Sequence, residues 1–120
     1  MTTTIMQQLQ ALLTGATNAG ARVAPMTGQA NWAKPYIVVQ RVSFNSENVL
    51  AGSTGLANTR VQIDAYASTY PDVVTLSAQI DALMSGWSVQ NVSLSAQDFY
   101  ESDVQLFRMA LDYSIWHPYP

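Results

Sequence analysis

A chain of 120 residues with 48% hydrophobic and 11% charged residues, no cysteine and a net charge of −3 is sized for one domain, 1–120, that buries roughly two thirds of its unfolded surface. The missing thiols remove disulfides, thiol catalysis and thiolate metal sites. The five basic residues, Arg22, Lys34, Arg41, Arg60 and Arg108, are scattered and form no stripe able to follow a phosphate backbone, which argues against nucleic-acid recognition.

The charged share lies well under the about 25% of ordinary soluble domains, which predicts a surface partly covered by other protein. No apolar run reaches the about 20 residues that cross a bilayer. Met1-Thr-Thr-Thr-Ile lacks the basic start and long apolar run of a signal peptide. The expectation is a protein made in a cytoplasm and used there, or in something assembled there, with no membrane partner.

Ile5, Leu9, Leu12 and Leu13 mark one face of a first helix, with a cap among Thr2 to Thr4 and a stop at Gly15. Its other face carries Gln7, Gln8 and Gln10, which suit either solvent or a protein contact. Ala21 to Pro25 reads as a short strand, and Met26 to Lys34, with Trp32, as loop. Pro35 then opens the strongest strand signal, Tyr36 to Phe44, apolar on both faces at its start, as in a strand near the middle of a covered sheet. Asn45 to Asn58, with two glycines and three asparagines around the apolar island Val49-Leu50, reads as a long loop of the kind that is functional or disordered.

From Arg60 to Ala67 the chain alternates, with Val61, Ile63, Ala65 and Ala67 on one side, as a half-buried strand does. After Tyr70-Pro71 the spacing becomes helical: Val73, Leu76, Ile80, Leu83 and Trp87, widened by Val74 and Met84. Thr69 stands three before Asp72 and is placed to cap the first turn, and Gly86 to end the helix in a left-handed conformation. Ser88 to Ala96 alternates weakly as a further strand, and Asp98 to Asp103 reads as the turn into a last one. That strand, Val104 to Trp116, sets Phe107, Met109, Leu111, Tyr113 and Ile115 on one face, with a change of phase that predicts a bulge near Leu106. The order gives an α+β domain: two helices packed on a mostly antiparallel sheet of four to five strands.

The chemistry sought in this pattern is missing. His117, the single histidine, stands beside Pro118 without a cysteine or second histidine to share a metal, and reads as a dispensable tail-end surface residue. Asp98, Glu101 and Asp103 lack the spacing of a calcium loop and read as a solvated hairpin. Gly52 and Gly55 belong to neither a phosphate loop nor a dinucleotide fingerprint, and no serine sits in a nucleophile elbow. No catalytic, metal or cofactor site is assigned. Trp87 and Tyr113 fall on expected core faces.

Taken together, the first helix (Leu9, Leu12, Leu13), Pro35-Tyr-Ile-Val-Val-Gln-Arg41, Thr59-Arg-Val-Gln-Ile-Asp-Ala-Tyr-Ala67, the helix from Pro71 to Leu83 and Leu111-Asp-Tyr-Ser-Ile-Trp116 resemble the tail-completion, or tail-terminator, proteins of long-tailed bacteriophages and phage-derived particles. The resemblance implies a structural virion protein without catalysis or cofactor. It would form a hexameric ring on the head-proximal end of the tail tube, with the tube protein and a head-connector protein as partners. The candidate assembly contacts are Asn45, Val49, Leu50 and Leu56 in the long loop, and Trp32. The competing readings are another ring of the same particle, a connector adaptor or tube subunit, and a small ligand-binding or enzymatic domain using Trp32, Tyr36 and Trp116.

Overall fold

Where alternation gives way to helical spacing at Thr69, the chain leaves a strand and enters a helix. The computed structural model describes residues 4–20, 22–25, 34–49, 52–102 and 105–118, with side chains except at 25, 44–49, 52–56 and 118. The elements are α1 (Ile5–Leu13), β1 (Val23–Pro25), β2 (Tyr36–Val49), β3 (Gly52–Ala67), α2 (Tyr70–Gly86), β4 (Gln90–Glu101) and β5 (Leu106–Pro118).

Both helices start where a hydroxyl can take up a free amide. Thr4 and Gln7 close a capping box: the Gln7 backbone amide donates to the Thr4 hydroxyl at 3.3 Å and the Thr4 amide to the Gln7 side chain at 2.9 Å. One of the three glutamines thereby serves the helix itself. Gly15, at φ 77°, follows the end of α1 in the left-handed region that glycine enters without cost. In α2, Thr69 accepts from the Asp72 amide at 3.3 Å, as its spacing predicts. Gly86 is not the left-handed stop expected of it. The helix runs through it to Trp87, which caps in an extended conformation (φ −72°, ψ 140°) with its amide bonded to Met84.

The five strands lie in the order β1-β2-β3-β5-β4. β1 runs parallel to β2 and every other neighbouring pair is antiparallel, so the mostly antiparallel α+β sheet expected from sequence is the one observed. β3 and β4 point the same way, with α2 as the crossover that such a connection needs and β5 inserted between them. The core lies between sheet and helices: Ile5, Leu9 and Leu13 of α1, and Val73, Leu76, Ile80 and Met84 of α2, close over Ile37, Val39, Val61, Ile63, Leu111, Tyr113 and Ile115. At about 25 cal/mol per Å² of apolar surface removed from water, such a layer is the main driving force for the fold. Leu83 and Trp87 are half-buried at its margin and Val74 is exposed, so the buried stripe of α2 is turned toward Met84.

Three boundaries differ from the sequence reading. Asn45 to Asn58 is not a loop of fourteen residues: β2 continues to Val49 and β3 begins at Gly52, with Asn45 opposite Asn58 and Glu47 opposite Leu56. Leu50 lies outside the described residues. Asp98 to Glu101 is not a turn but the end of β4, paired with β5 as far as Leu106. The bulge expected near Leu106 is absent, since β5 pairs with β3 in one unbroken register from Pro118 to Phe107. The change of phase falls at Gln105, whose φ of 53° marks the turn; Val104 lies outside the described residues.

Candidate assembly interface

Because both helices cover one face of the sheet, the strands present their other residues on an open face. Following the registers, that face carries Tyr36, Val38 and Gln40 of β2, Asn58 to Tyr66 in alternation on β3, Arg108, Ala110, Asp112, Ser114 and Trp116 of β5, and Phe99 of β4. Its middle is closed by its own side chains: Val38 and Asp64 are each only 5% exposed.

A buried carboxylate is costly unless it is paired and hydrogen-bonded. Asp64 is both, accepting from the Arg108 guanidinium at 3.2 Å and from the Gln62 amide at 2.9 Å. The Nε of Arg108 also donates to Glu101 at 2.8 Å, and its guanidinium lies 4.4 Å from the centre of the Phe99 ring. Burial acts to lower the Arg108 pKa, but the Asp64 charge and the Glu101 hydrogen bond outweigh it and the pKa is raised. Beside this group Tyr36 and Tyr66 stack with ring centres 4.8 Å apart, and burial raises the pKa of both phenols. Nothing in the sequence spacing pointed to this cluster, since its members come from β3, β4 and β5. Only the alternation that puts Asp64 and Tyr66 on one face was visible.

The helix layer does not extend over the last strand. α2 packs on β3 and β5, and β4 lies beyond it, with Val92, Leu94, Phe99 and Tyr100 between 37% and 55% exposed. Between β4 and the start of α2 a cleft of about 190 Å³ is lined by Tyr70, Val73, Phe99, Tyr100 and Phe107. The Tyr70 hydroxyl donates to Asp98 at 2.8 Å across its rim, and that hydrogen bond raises the Tyr70 pKa.

Of the contacts anticipated from sequence, Asn45, Val49 and Leu56 all lie on the β2–β3 hairpin, while Trp32 and Leu50 lie outside the described residues. The alternative aromatic groove is not assembled. Tyr36 shares a row with Tyr66 and Arg108, whereas Trp116 sits eight residues further along β5, roughly 27 Å away at strand spacing.

His117 departs most from expectation. It is 2% exposed rather than a surface residue of a tail, and its Nε2 lies 2.7 Å from the Thr59 hydroxyl, which is itself fully buried. The strand partner that seals it is β3, where Ala57 stands opposite. A hydroxyl against an imidazole is the pairing of a nucleophile with its base, but here both groups are closed to solvent and packed between β3 and β5. Among the described residues no group of three His, Cys, Asp or Glu side chains could hold a metal ion. Asp98 and Glu101 are engaged by Tyr70 and Arg108, and Asp103 lies outside the described residues.

The sequence matches the family of tail completion protein gp17 over residues 3–118, nearly its full length. The chain belongs to that family. A tail completion protein is a structural protein of a bacteriophage tail, which is the class that the proline-led strand and the Arg60 to Ala67 strand pointed to. The backbone of this tail completion protein is also similar, at a TM-score of 0.63 and 15% identity, to a chain in the structure of the virion of a native gene transfer agent particle. The likeness covers 90% of this chain and 82% of that one and speaks for the fold. No curated protein sequence matches it.

Proposed function

We propose that this tail completion protein forms a hexameric ring on the head-proximal end of the tail tube, stops tube polymerisation there and offers its far side to the head connector. The observation that carries this reading is membership of the tail completion family across residues 3–118. A tube of stacked rings grows as long as its end offers the next ring a matching surface, so stopping it takes a subunit with two unlike ends. The fold suits that task. Its longest dimension is 52 Å, with the β2–β3 hairpin at one end of the strands and the start of α2 and the β4–β5 turn at the other. Termination needs binding energy and no turnover. In this reading the protein is a virion component at the head–tail joint, assembled in the host cytoplasm.

Deleting the protein is expected to leave heads that package DNA and tails that fail to join them, many with abnormally long tubes. Mass measurement of the assembled tail end should give six copies. Tails of normal length that join heads without the protein would overturn the terminator role and favour a connector adaptor.

A further inference from the structure

Among the described residues the sheet has two outer edges, and both are open in the same rows. β1 covers β2 only from Ile37 to Val39, so from Gln40 onward the outer edge of β2 has no strand beside it among the described residues. Followed across the sheet, the row of Gln40 passes through Gln62 and Asp112 to Ser95, that of Arg41 through Val61 and Tyr113 to Ser93, and that of Ser43 through Arg60 and Ser114 to Val92. Within these rows each edge strand is bulged, β2 at Val42 and β4 at Leu94. The residues so displaced are apolar and stand out: Val42 and Leu94 are each 47% exposed, and Val92, in register opposite Ser114 nearby, is 48% exposed.

The charges of the two edges differ in sign over most of their length. The β1–β2 edge carries Arg22, Lys34 and Arg41, with Glu47 alone further out on the hairpin, and β4 from Gln90 to Glu101 carries Asp98 and Glu101, the latter also held by Arg108 of β5, and no basic residue. The rows match here as well. Asp98 shares the row of Ile37, next to Arg22, whose carbonyl accepts from the Ile37 amide. Glu101 lies further down the same end, where Lys34 leads into β2.

A rotation about an axis along the strands keeps every row at its height and every strand in its sense. β2 and β4 are already antiparallel to each other, so the β4 edge of one copy meets the β2 edge of the next as an antiparallel neighbour. We infer that subunits of the ring meet edge to edge, with Val92 and Leu94 of one copy against Val42 of the next and Asp98 and Glu101 facing its Arg22 and Lys34. This rests on the ring reading above. The contact is heterologous, one patch against a different one, the kind that closes into a ring. Bulges interrupt a hydrogen-bonded ladder and are a device against unlimited edge pairing, so side chains carry this interface and the sheets do not merge.

The absence of cysteine makes the test direct. Val42→Cys and Leu94→Cys are placed together in one chain, and in two separate chains, and tails assembled in host cells are treated with a short thiol-to-thiol cross-linker. Val42→Cys with Val92→Cys serves as a second pair. The paired variants, and a mixture of the two single variants, should give cross-linked species, the paired chain as a ladder ending at the copy number of the ring. Neither single variant should link alone. Tail ends that carry six copies but link with neither pair, or a single variant that links to itself, would overturn the interface and leave the ring standing. Tail ends without a ring of this protein would overturn both.

Discussion

Removing the His117 side chain tests the most consequential buried contact outside the apolar core. In His117→Ala the Thr59 hydroxyl, fully buried and 2.7 Å from the imidazole, loses its partner, at a cost of about 1–3 kcal/mol. The void left by the ring adds about 2 kcal/mol, the lower end for large-to-small changes in a core. The sum, about 3–5 kcal/mol, is a large share of the 5–15 kcal/mol typical of a domain. At roughly 4 °C per kcal/mol for a chain of this size, the melting temperature should fall by about 12–20 °C. His117→Phe keeps most of the volume and should lose only the hydrogen-bond part. Urea unfolding followed by circular dichroism reads both variants, and a Thr59→Val and His117→Phe double-mutant cycle isolates the coupling. A loss in His117→Ala below about 0.5 kcal/mol, the range of surface substitutions, would refute the reasoning and restore the sequence-based expectation of a dispensable residue.

Arg108→Met should leave Asp64 buried and short of its cation, destabilising the domain by about 2–4 kcal/mol, somewhat under the cost of breaking a fully buried pair because Arg108 is partly exposed; equal stability in urea would show that Gln62 suffices. Tyr113 is held protonated in the fold, first by burial and then by its hydrogen bond to Asp81. With the unfolded phenol near pH 10, the resulting stability is complete below that pH and is lost as pH rises above it, by up to about 1.4 kcal/mol per pH unit. Denaturant titrations at pH 9 to 11 should therefore show a decline that is shallower in Tyr113→Phe, and equal slopes would contradict it. Leu50→Asp, at the position that follows Val49 in the chain, should leave the monomer folded and lower the yield of joined particles; an unfolded variant would assign Leu50 to the core instead.

Much of the helix layer was legible because helices announce themselves locally. Thr69, Asp72 and the Val73, Leu76, Ile80 spacing lie within a few turns of one another, and each does what its neighbours in sequence predict. Strands depend on partners far along the chain, and the errors follow from that. Asn45, Ser46, Asn48, Gly52 and Ser53 are weak strand formers, yet they are paired across the hairpin. Once that hairpin is misread as loop, the end of β5 has nothing to pair with and His117 is left in solvent. The two misreadings are one: extending β3 back past Ala57 both removes the loop and buries the histidine. The assembly surface was less legible still. Its candidate edges are defined by register, which places Val42 and Leu94 in adjacent rows although more than fifty residues separate them in sequence.

The position of β5 bears on how the chain comes to be folded. This strand follows the other four in the chain, yet it lies inside the sheet and is, among the described residues, the only strand with which β4 pairs. While a ribosome is still adding residues 106–118, β3 has one unsatisfied flank and β4 no hydrogen-bonded neighbour, so the nascent domain exposes unpaired strands until the end. Contacts this distant in sequence also slow folding. A tail subunit made in many copies beside other strand-rich tail proteins would thus be most open to wrong pairings just before synthesis of β5 is complete, and a chain cut short of Leu106 should aggregate rather than persist as a smaller fold.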